Sequence, residues 1–254
     1  MNFDHAVVYD IETFPNVFTL HAEMLNSTTC STWEISHWRD DRLQLLQWFT
    51  HLQQTQTLMI GFYSEHFDYI VLHWLMKNPQ ATVEQIYQFA MMVINELDKF
   101  KHAVWQNERF APQVDLFKIH HFDNRAKTTS LKALQINMRS KSVVDVIGTE
   151  IELGSQLTRD QVDRVLIPYN IHDVKETKKF AHYSMPAIDF RVGLIGTIPG
   201  DVLNFNNTKI GAKLLETRLG EDVCYDRSNS GRKVKRQTFR SEIALRDPEI
   251  VTDT

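Results

Sequence analysis

The amino-acid sequence predicts an α/β fold, a mixed β-sheet covered on both faces by helices. Short apolar runs of strand type occur early in the chain, at 5–12, 16–22 and 31–36. Longer segments with apolar residues at helical spacing separate the later strand-like runs. Strands that alternate with helices in this way are typical of a sheet enclosed between two helical layers.

The first two predicted strands form a hairpin. Residues 5–12 and 16–22 flank a turn at Thr13–Asn16 that contains proline and asparagine, two residues that favour turns. A helix is expected from Asp40 to about Gln54, where apolar side chains recur on one face. The short apolar run TLMIGF at 57–62 is the next strand.

The middle of the chain continues the alternation. Helices are expected at 67–77 and 81–97, a strand at 114–119 (VDLFKI) and a short helix at 130–135. Thr158 opens a further helix as its N-cap residue, because Gln161 stands in the capping-box position.

This last helix should kink or restart at Pro168, which lacks an N–H donor, and continue to about Ser184. The chain then changes character, since 186–207 contains three of the nine glycines and two of the seven prolines. We therefore expect a domain at 1–184 and an extension at 185–254.

The extension contains one more predicted helix and a basic segment. The helix NNTKIGAKLLETRLG ends at Gly220, a typical residue just beyond a helix C-terminus. The basic segment, 227–240, contains six basic residues and no acid. Two interpretations stay open for it, a solvated loop and an arm that contacts phosphates.

Composition argues against several classes of protein. A formal net charge of −4 argues against a general nucleic-acid coat. No stretch approaches the roughly 20 apolar residues of a membrane span, and the N-terminus is not typical of a signal peptide. Cys30 and Cys224 are expected to be free thiols. These features predict a cytoplasmic protein.

Acidic residues follow two of the predicted strands and recur on a late helix. Asp10 and Glu12 in YDIETF point to the same side of a strand, where two like charges repel unless a cation lies between them. Asp68 begins a helix in GFYSEHFDYIVL, and Tyr169 and Asp173 in YNIHDVKET share one helix face. Taken singly, residues such as Asp68, Tyr169 and Asp173 more often have a structural role.

Together and in this order, the three motifs resemble the DnaQ-like (DEDD) superfamily of 3′–5′ exonucleases, in its tyrosine-bearing branch. The resemblance covers about residues 5–184 and implies a ribonuclease H-like fold. The segments YDIETFPNVF, GFYSEHFDY and SLKALQINMRS are most similar to the N-terminal proofreading exonuclease of phage-type family B-like DNA polymerases.

The resemblance implies a catalytic centre with two Mg²⁺ or Mn²⁺ ions. Asp10, Glu12 and Asp173 would hold one ion, Asp10 and Asp68 the other, and Tyr169 would orient the attacking water. Oxygen ligands suit these hard cations, and paired divalent ions are the usual device for hydrolysing phosphodiesters.

The same motifs contain five candidate substrate contacts. Tyr63 stands where related polymerases usually have an asparagine that helps to hold the primer end. Phe67 and Phe14 either stack on a terminal base or pack in the core. Thr13 is expected to contact the terminal nucleotide through its hydroxyl or its backbone. Lys132 either contacts a phosphate or is solvated.

The sequence therefore predicts a metal-dependent 3′–5′ exonuclease that acts on single-stranded or frayed DNA 3′ ends. Two alternatives stay open, an RNA-trimming exonuclease of the same branch and a non-catalytic module that holds DNA in a replication complex. The sequence motifs of a polymerase core are absent. A DNA polymerase, formerly in the same chain or bound as a partner, is the expected companion.

Overall fold

The structure is a computed structural model that describes residues 5–98, 100–144, 146, 148–228 and 231–235. The chain divides into two compact units, 1–207 and 208–254. Within the described residues, no helix has the length and apolar character needed to cross a membrane.

The first unit contains a five-stranded sheet in the order β3-β2-β1-β4-β5. Its strands are β1 (Val7–Phe14), β2 (Val17–Met24), β3 (Cys30–Ser36), β4 (Met59–Gly61) and β5 (Gln113–Asp115). The first three form an antiparallel meander, whereas β4 and β5 run parallel to β1. The sheet is therefore mixed, and the predicted hairpin of β1 and β2 is confirmed.

Helices connect and cover these strands. In chain order they are α1 (Arg42–Thr55), α2 (Asp68–Lys77), α3 (Val83–Asn95), α4 (Leu116–Ile119), α5 (Leu131–Asn137), α6 (Arg159–Gln161) and α7 (Ile167–Val192). Short 3₁₀ turns lie at Ser64–His66 and Gln106–Glu108.

Alternation along β1 places helices on both faces of the sheet. Val7, Tyr9 and Ile11 belong to a core formed with α1, α2 and α3. Val8 points the other way, into a second core with α4, α5 and α7. The predicted α/β class is confirmed, and the arrangement is compatible with a ribonuclease H-like fold.

The prediction of a strand over 114–119 is wrong in its second half. Strand β5 ends at Asp115, and the chain turns at once into the helical residues of α4. The Asp115 carboxylate, which is fully buried, accepts the N–H of Phe117 at 2.9 Å and caps this turn. Apolar periodicity alone does not separate a buried strand from a buried helical turn of the same length.

The prediction that the helix restarts at Pro168 is confirmed, because α7 begins at Ile167 with Pro168 in its first turn. Thr158 and Gln161 form the expected capping box, and a π-helical turn at Val162–Leu166 then leads directly into α7. Proline has no N–H to donate, and its ring clashes with the carbonyl four residues earlier in a regular α-helix. The wider π-helical turn before Pro168 accommodates both properties.

Helix α7 also passes through Pro186 and ends at Val192. The predicted boundary between 184 and 185 therefore falls inside this helix, and the chain divides after Asn207 instead. Buried Arg191 fixes the end of the helix, because its guanidinium donates to the carbonyls of Ala187, Ile119 and Phe205 at 2.7–3.0 Å. This one side chain joins α7 to α4 and to the segment that follows.

The second unit contains the helices α8 (Asn207–Leu219) and α9 (Glu221–Cys224) and an antiparallel pair of strands, β6 (Tyr225–Arg227) and β7 (Lys233–Lys235). Gly220 follows α8 with a φ of 85°, as its predicted role requires. The predicted basic segment 227–240 lies partly on this hairpin, and its residues 229–230 and 236–240 lie outside the described residues.

Candidate active site

A cleft of about 490 Å³ opens along the second half of β1, beside the point where β4 ends. Asp10, Glu12 and Asp68 line it. The first two project from the same side of β1, as a spacing of two on a strand requires. Parallel strands end at the same edge of a sheet, so the connection after β4 brings Asp68 to the end of β1. Residues distant in sequence thus meet at one edge.

Asp68 is fixed in place by its position in the fold. It is the first residue of α2 and is 5% exposed. A carboxylate at this end of a helix is stabilised by the helix dipole. Its Oδ1 also accepts the backbone N–H of Ile11 at 3.2 Å, which ties the start of α2 to β1 between the other two acids.

Helix α7 contributes the remaining two predicted residues. Tyr169 and Asp173 lie one turn apart and are both buried. The Tyr169 hydroxyl donates a hydrogen bond to the Asp173 carboxylate, and the charge of Asp173 raises the pKa of Glu12 and of Asp10. They do not line the cleft themselves, but the charge of Asp173 reaches Asp10 and Glu12, which do.

The four acids form one electrostatic unit. Burial, followed by the charges of Asp68, Glu12 and Asp173, raises the pKa of Asp10 well above its usual range. Burial and the charges of Asp173 and Asp68 also raise the pKa of Glu12 well above its usual range. Burial raises the pKa of Asp68 to about 7 and also raises that of Asp173.

This unit suits a hard divalent cation in its donor chemistry. All four side chains offer carboxylate oxygens, the ligands that Mg²⁺ and Mn²⁺ prefer. Each carboxylate is costly to ionise while no cation is bound, because it is buried beside like charges. Among the described residues, however, no three histidine, cysteine, aspartate or glutamate side chains stand close enough together to hold an ion without rearrangement.

The Tyr169 hydroxyl remains protonated at neutral pH. Burial and the neighbouring charges of Asp173, Glu12 and Asp10 raise its pKa far above the ordinary value of 10. A tyrosine in this state donates a hydrogen bond and does not accept a proton. Its chemistry is therefore that of an orienting group, not of a general base.

Two buried amides that the sequence analysis missed hold the acids in place. Asn170 is fully buried, and its Nδ2 donates to Asp10 Oδ2 at 2.8 Å. Gln135 on α5 is also fully buried, and its Nε2 donates to Asp173 Oδ1 at 3.3 Å. Asn170 lies beside Tyr169 in the third motif, a signal that could have identified it. Gln135 follows Lys132 by one helical turn.

Two of the predicted substrate contacts line the cleft. Tyr63 adopts a left-handed backbone conformation with a φ of 64°. Asp115 stabilises this conformation by accepting the Tyr63 N–H at 2.8 Å. The Tyr63 ring stacks on His66, with ring centroids 4.7 Å apart. Phe67 lines the same wall and also packs partly against the core, so both interpretations of this residue apply.

The other three predicted contacts lie elsewhere. Phe14 is 1% exposed and packs in a third core with Val17 and Leu157, so stacking on a substrate is the wrong interpretation. Thr13 points to the opposite side of β1 from Glu12 and does not line the cleft, so its side chain does not reach a substrate there. Lys132 lies near enough to Glu12 and Asp173 to lower the pKa of both.

The similarity of this chain to known proteins is weak. No protein-family model matches the sequence, and no curated protein matches it. A solved structure that the chain is similar to is the family B DNA polymerase of the hyperthermophilic archaeon Pyrobaculum calidifontis, with 17% sequence identity and a TM-score of 0.41. The match covers 71% of this chain and 24% of the polymerase. The chain thus spans about a quarter of that polymerase.

Proposed function

We propose that the chain is a metal-dependent 3′–5′ exonuclease that hydrolyses the terminal phosphodiester bond of DNA. The observation that supports this proposal is the cluster of Asp10, Glu12, Asp68 and Asp173, in which the charges of Asp68 and Asp173 raise the pKa of Asp10 and of Glu12 beside an open cleft. Four acids buried side by side cost stability, and Lys132 offsets only part of this cost, since the pKa of Glu12 and of Asp173 is still raised. A cation-dependent function is the simplest reason for them.

The reaction adds water across one bond. The water oxygen bonds to phosphorus, the bond from phosphorus to the 3′ oxygen breaks, and a proton is transferred to that oxygen. Bound Mg²⁺ or Mn²⁺ ions would lower the pKa of the water and neutralise charge on the leaving oxygen. The products are a nucleoside 5′-monophosphate and a strand one nucleotide shorter.

In this proposal each residue of the cluster has a separate task. Asp10, Glu12, Asp68 and Asp173 would hold the ions, with Asn170 fixing Asp10 through its 2.8 Å hydrogen bond. The protonated Tyr169 would orient the attacking water. The stacked rings of Tyr63 and His66, together with Phe67, offer apolar surface to the terminal nucleotide.

A degradation time course tests the proposal. A single-stranded DNA oligonucleotide labelled at its 5′ end is incubated with Mg²⁺, Mn²⁺ or EDTA, beside RNA of the same sequence. We expect a ladder that shortens from the 3′ end of DNA, requires metal, and is absent with Asp10→Ala. Asp189→Ala is the matched control, since Asp189 is an exposed acid of α7.

Three results would overturn the proposal in different ways. Degradation of RNA alone would indicate the RNA-trimming branch. Binding of the oligonucleotide without cleavage would indicate a module that holds DNA. Unchanged degradation by Asp10→Ala would place the reaction outside this cluster.

A further inference from the structure

Gln135 is a buried side chain whose Nε2 has a hydrogen-bond partner and whose Oε1 has none among the described residues. It lies on α5 with no exposed surface, and its Nε2 donates to Asp173 Oδ1 at 3.3 Å. Its Oε1 is also buried, and has no hydrogen-bond partner among the described residues. An amide oxygen in this situation loses the hydrogen bonds that it makes to water in the unfolded chain.

The orientation of the amide follows from its neighbour. An amide and a carboxylate can pair only if the NH₂ group faces the carboxylate, because an ionised carboxylate accepts and does not donate. The Tyr169 hydroxyl donates to the same Asp173. Gln135 Oε1 therefore points away from Asp173 as an acceptor that requires a donor.

The helix that presents Gln135 is fixed at its start. Ser130 caps α5, with its Oγ accepting the Ala133 N–H at 3.2 Å. One turn before Gln135, Lys132 acts on the charges of Glu12 and Asp173. This face of α5 therefore adjoins the acid cluster at two successive turns.

We infer that Gln135 is a positioning residue for the hydrolysis proposed above, on which this inference rests. Its Nε2 holds the Asp173 carboxylate in one orientation, and its Oε1 accepts a hydrogen bond from a water molecule bound at the cluster. The partner is a water molecule and not a cation, because one buried amide oxygen is far fewer than the six or more oxygen ligands that a hard cation takes.

Tyr169 and Gln135 then act on Asp173 together. The Tyr169 hydroxyl and Gln135 Nε2 both donate to the Asp173 carboxylate, which fixes it towards the ions that it would hold. Neither group removes a proton from the attacking water. The amide has no useful basicity near neutral pH, and the pKa of Tyr169 is raised by burial and by Asp173. Gln135 thus contributes orientation and not proton transfer.

The test replaces Gln135 by Met, an unbranched side chain of the same length without hydrogen-bonding groups. The variant Gln135→Leu is made beside it, and Gln54→Met serves as the control because Gln54 is an exposed glutamine of α1. The measurements are kcat and KM on a single-stranded DNA oligonucleotide, the Tm without metal, and the Mn²⁺ concentration that half-saturates the rise in Tm.

We expect kcat to fall by about 10- to 100-fold, as is usual when a residue that orients metal ligands is lost. KM should stay within about twofold, because the amide does not touch the strand. Half-saturation by Mn²⁺ should require about tenfold more metal. The Tm without metal should change little, because removal of a buried acceptor that had no partner offsets the loss of the hydrogen bond to Asp173.

Other outcomes overturn the inference. An active wild-type protein with an unchanged kcat in Gln135→Met would refute it alone and leave the proposed function standing. If activity falls only as far as the lower Tm accounts for, Gln135 has a structural role. The same conclusion follows if neither Gln135→Met nor Gln135→Leu folds. A wild-type protein that neither cleaves DNA nor binds Mn²⁺ would refute the proposed function and this inference together.

Discussion

The acid cluster should make the metal-free protein less stable as pH rises, and Asp68→Asn should remove much of this effect. Burial raises the pKa of Asp68 from 3.8 to about 7. The folded state therefore keeps a proton that the unfolded chain has released, and stability falls as pH increases between about 4 and 7. Asparagine does not titrate, and its Oδ1 can still accept the Ile11 N–H.

The size of the effect follows from the pKa. The difference between the pKa of Asp68 in the folded and in the unfolded state lowers the free energy of unfolding by about 4 kcal/mol at pH 8. At pH 5 the loss is less than about 2 kcal/mol. For a chain of this length each kcal/mol changes Tm by about 2–4 °C. In EDTA, Asp68→Asn should therefore melt about 10 °C above the wild-type protein at pH 8, and about 5 °C above it at pH 5.

Thermal unfolding at both pH values, followed by circular dichroism in EDTA, measures this difference. Asp189→Asn is the control, because it removes an exposed acid of α7 and should leave Tm unchanged. Saturating Mn²⁺ should raise the Tm of the wild-type protein more than that of Asp68→Asn, since binding to the folded state stabilises it. An Asp68→Asn protein that melts at or below the wild-type temperature at pH 8 would refute the reasoning.

Three further predictions concern other parts of the chain. Tyr169→Phe should slow cleavage by about 10- to 100-fold while Mn²⁺ still raises Tm; an unchanged rate would assign the orienting role to another group. Arg191→Met should destabilise the protein by about 3 kcal/mol, because three carbonyls lose their donor. Chemical denaturation measures this loss, and a change below about 1 kcal/mol would contradict it. Neutralising Arg232 and Lys233 on the hairpin should reduce the slope of log K against log salt for DNA binding by about 2, whereas an unchanged slope would indicate a solvated segment.

The sequence predicted the elements whose patterns are local. Strands β1 and β2 alternate and are joined by a turn with proline and asparagine, and Thr158 and Gln161 form a capping box that can be read from four residues. The spacing of Asp10 and Glu12 on a strand, and of Tyr169 and Asp173 on a helix, correctly placed each pair on one face.

The errors arose where tertiary structure decides. A buried run such as VDLFKI is apolar as strand or as helix, and only the hydrogen bond from the Phe117 N–H to Asp115 ends the strand. The π-helical turn at Val162–Leu166 was not predicted, although the restart of the helix at Pro168 was. Of the two interpretations of Phe14, the structure bears out packing in the core.

Gln135 illustrates a different limit. A glutamine in a short helix is ordinary in sequence, and nothing local distinguishes it from a solvated one. Its significance comes from burial and from Asp173, a residue 38 positions away, and both appear only in three dimensions.

The central claim is that the four acids bind metal ions, although in the structure they are not gathered into a closed ligand set. The number of Mn²⁺ ions bound per chain tests this claim most directly. Electron paramagnetic resonance of free Mn²⁺, titrated with protein at neutral pH, counts bound ions without any substrate. We predict two ions per wild-type chain, with binding weakened in Asp10→Asn, since Asp10 would contact both. No bound ion, or equal binding by wild-type protein and Asp10→Asn, would contradict the assignment of this cluster as a metal-dependent catalytic centre.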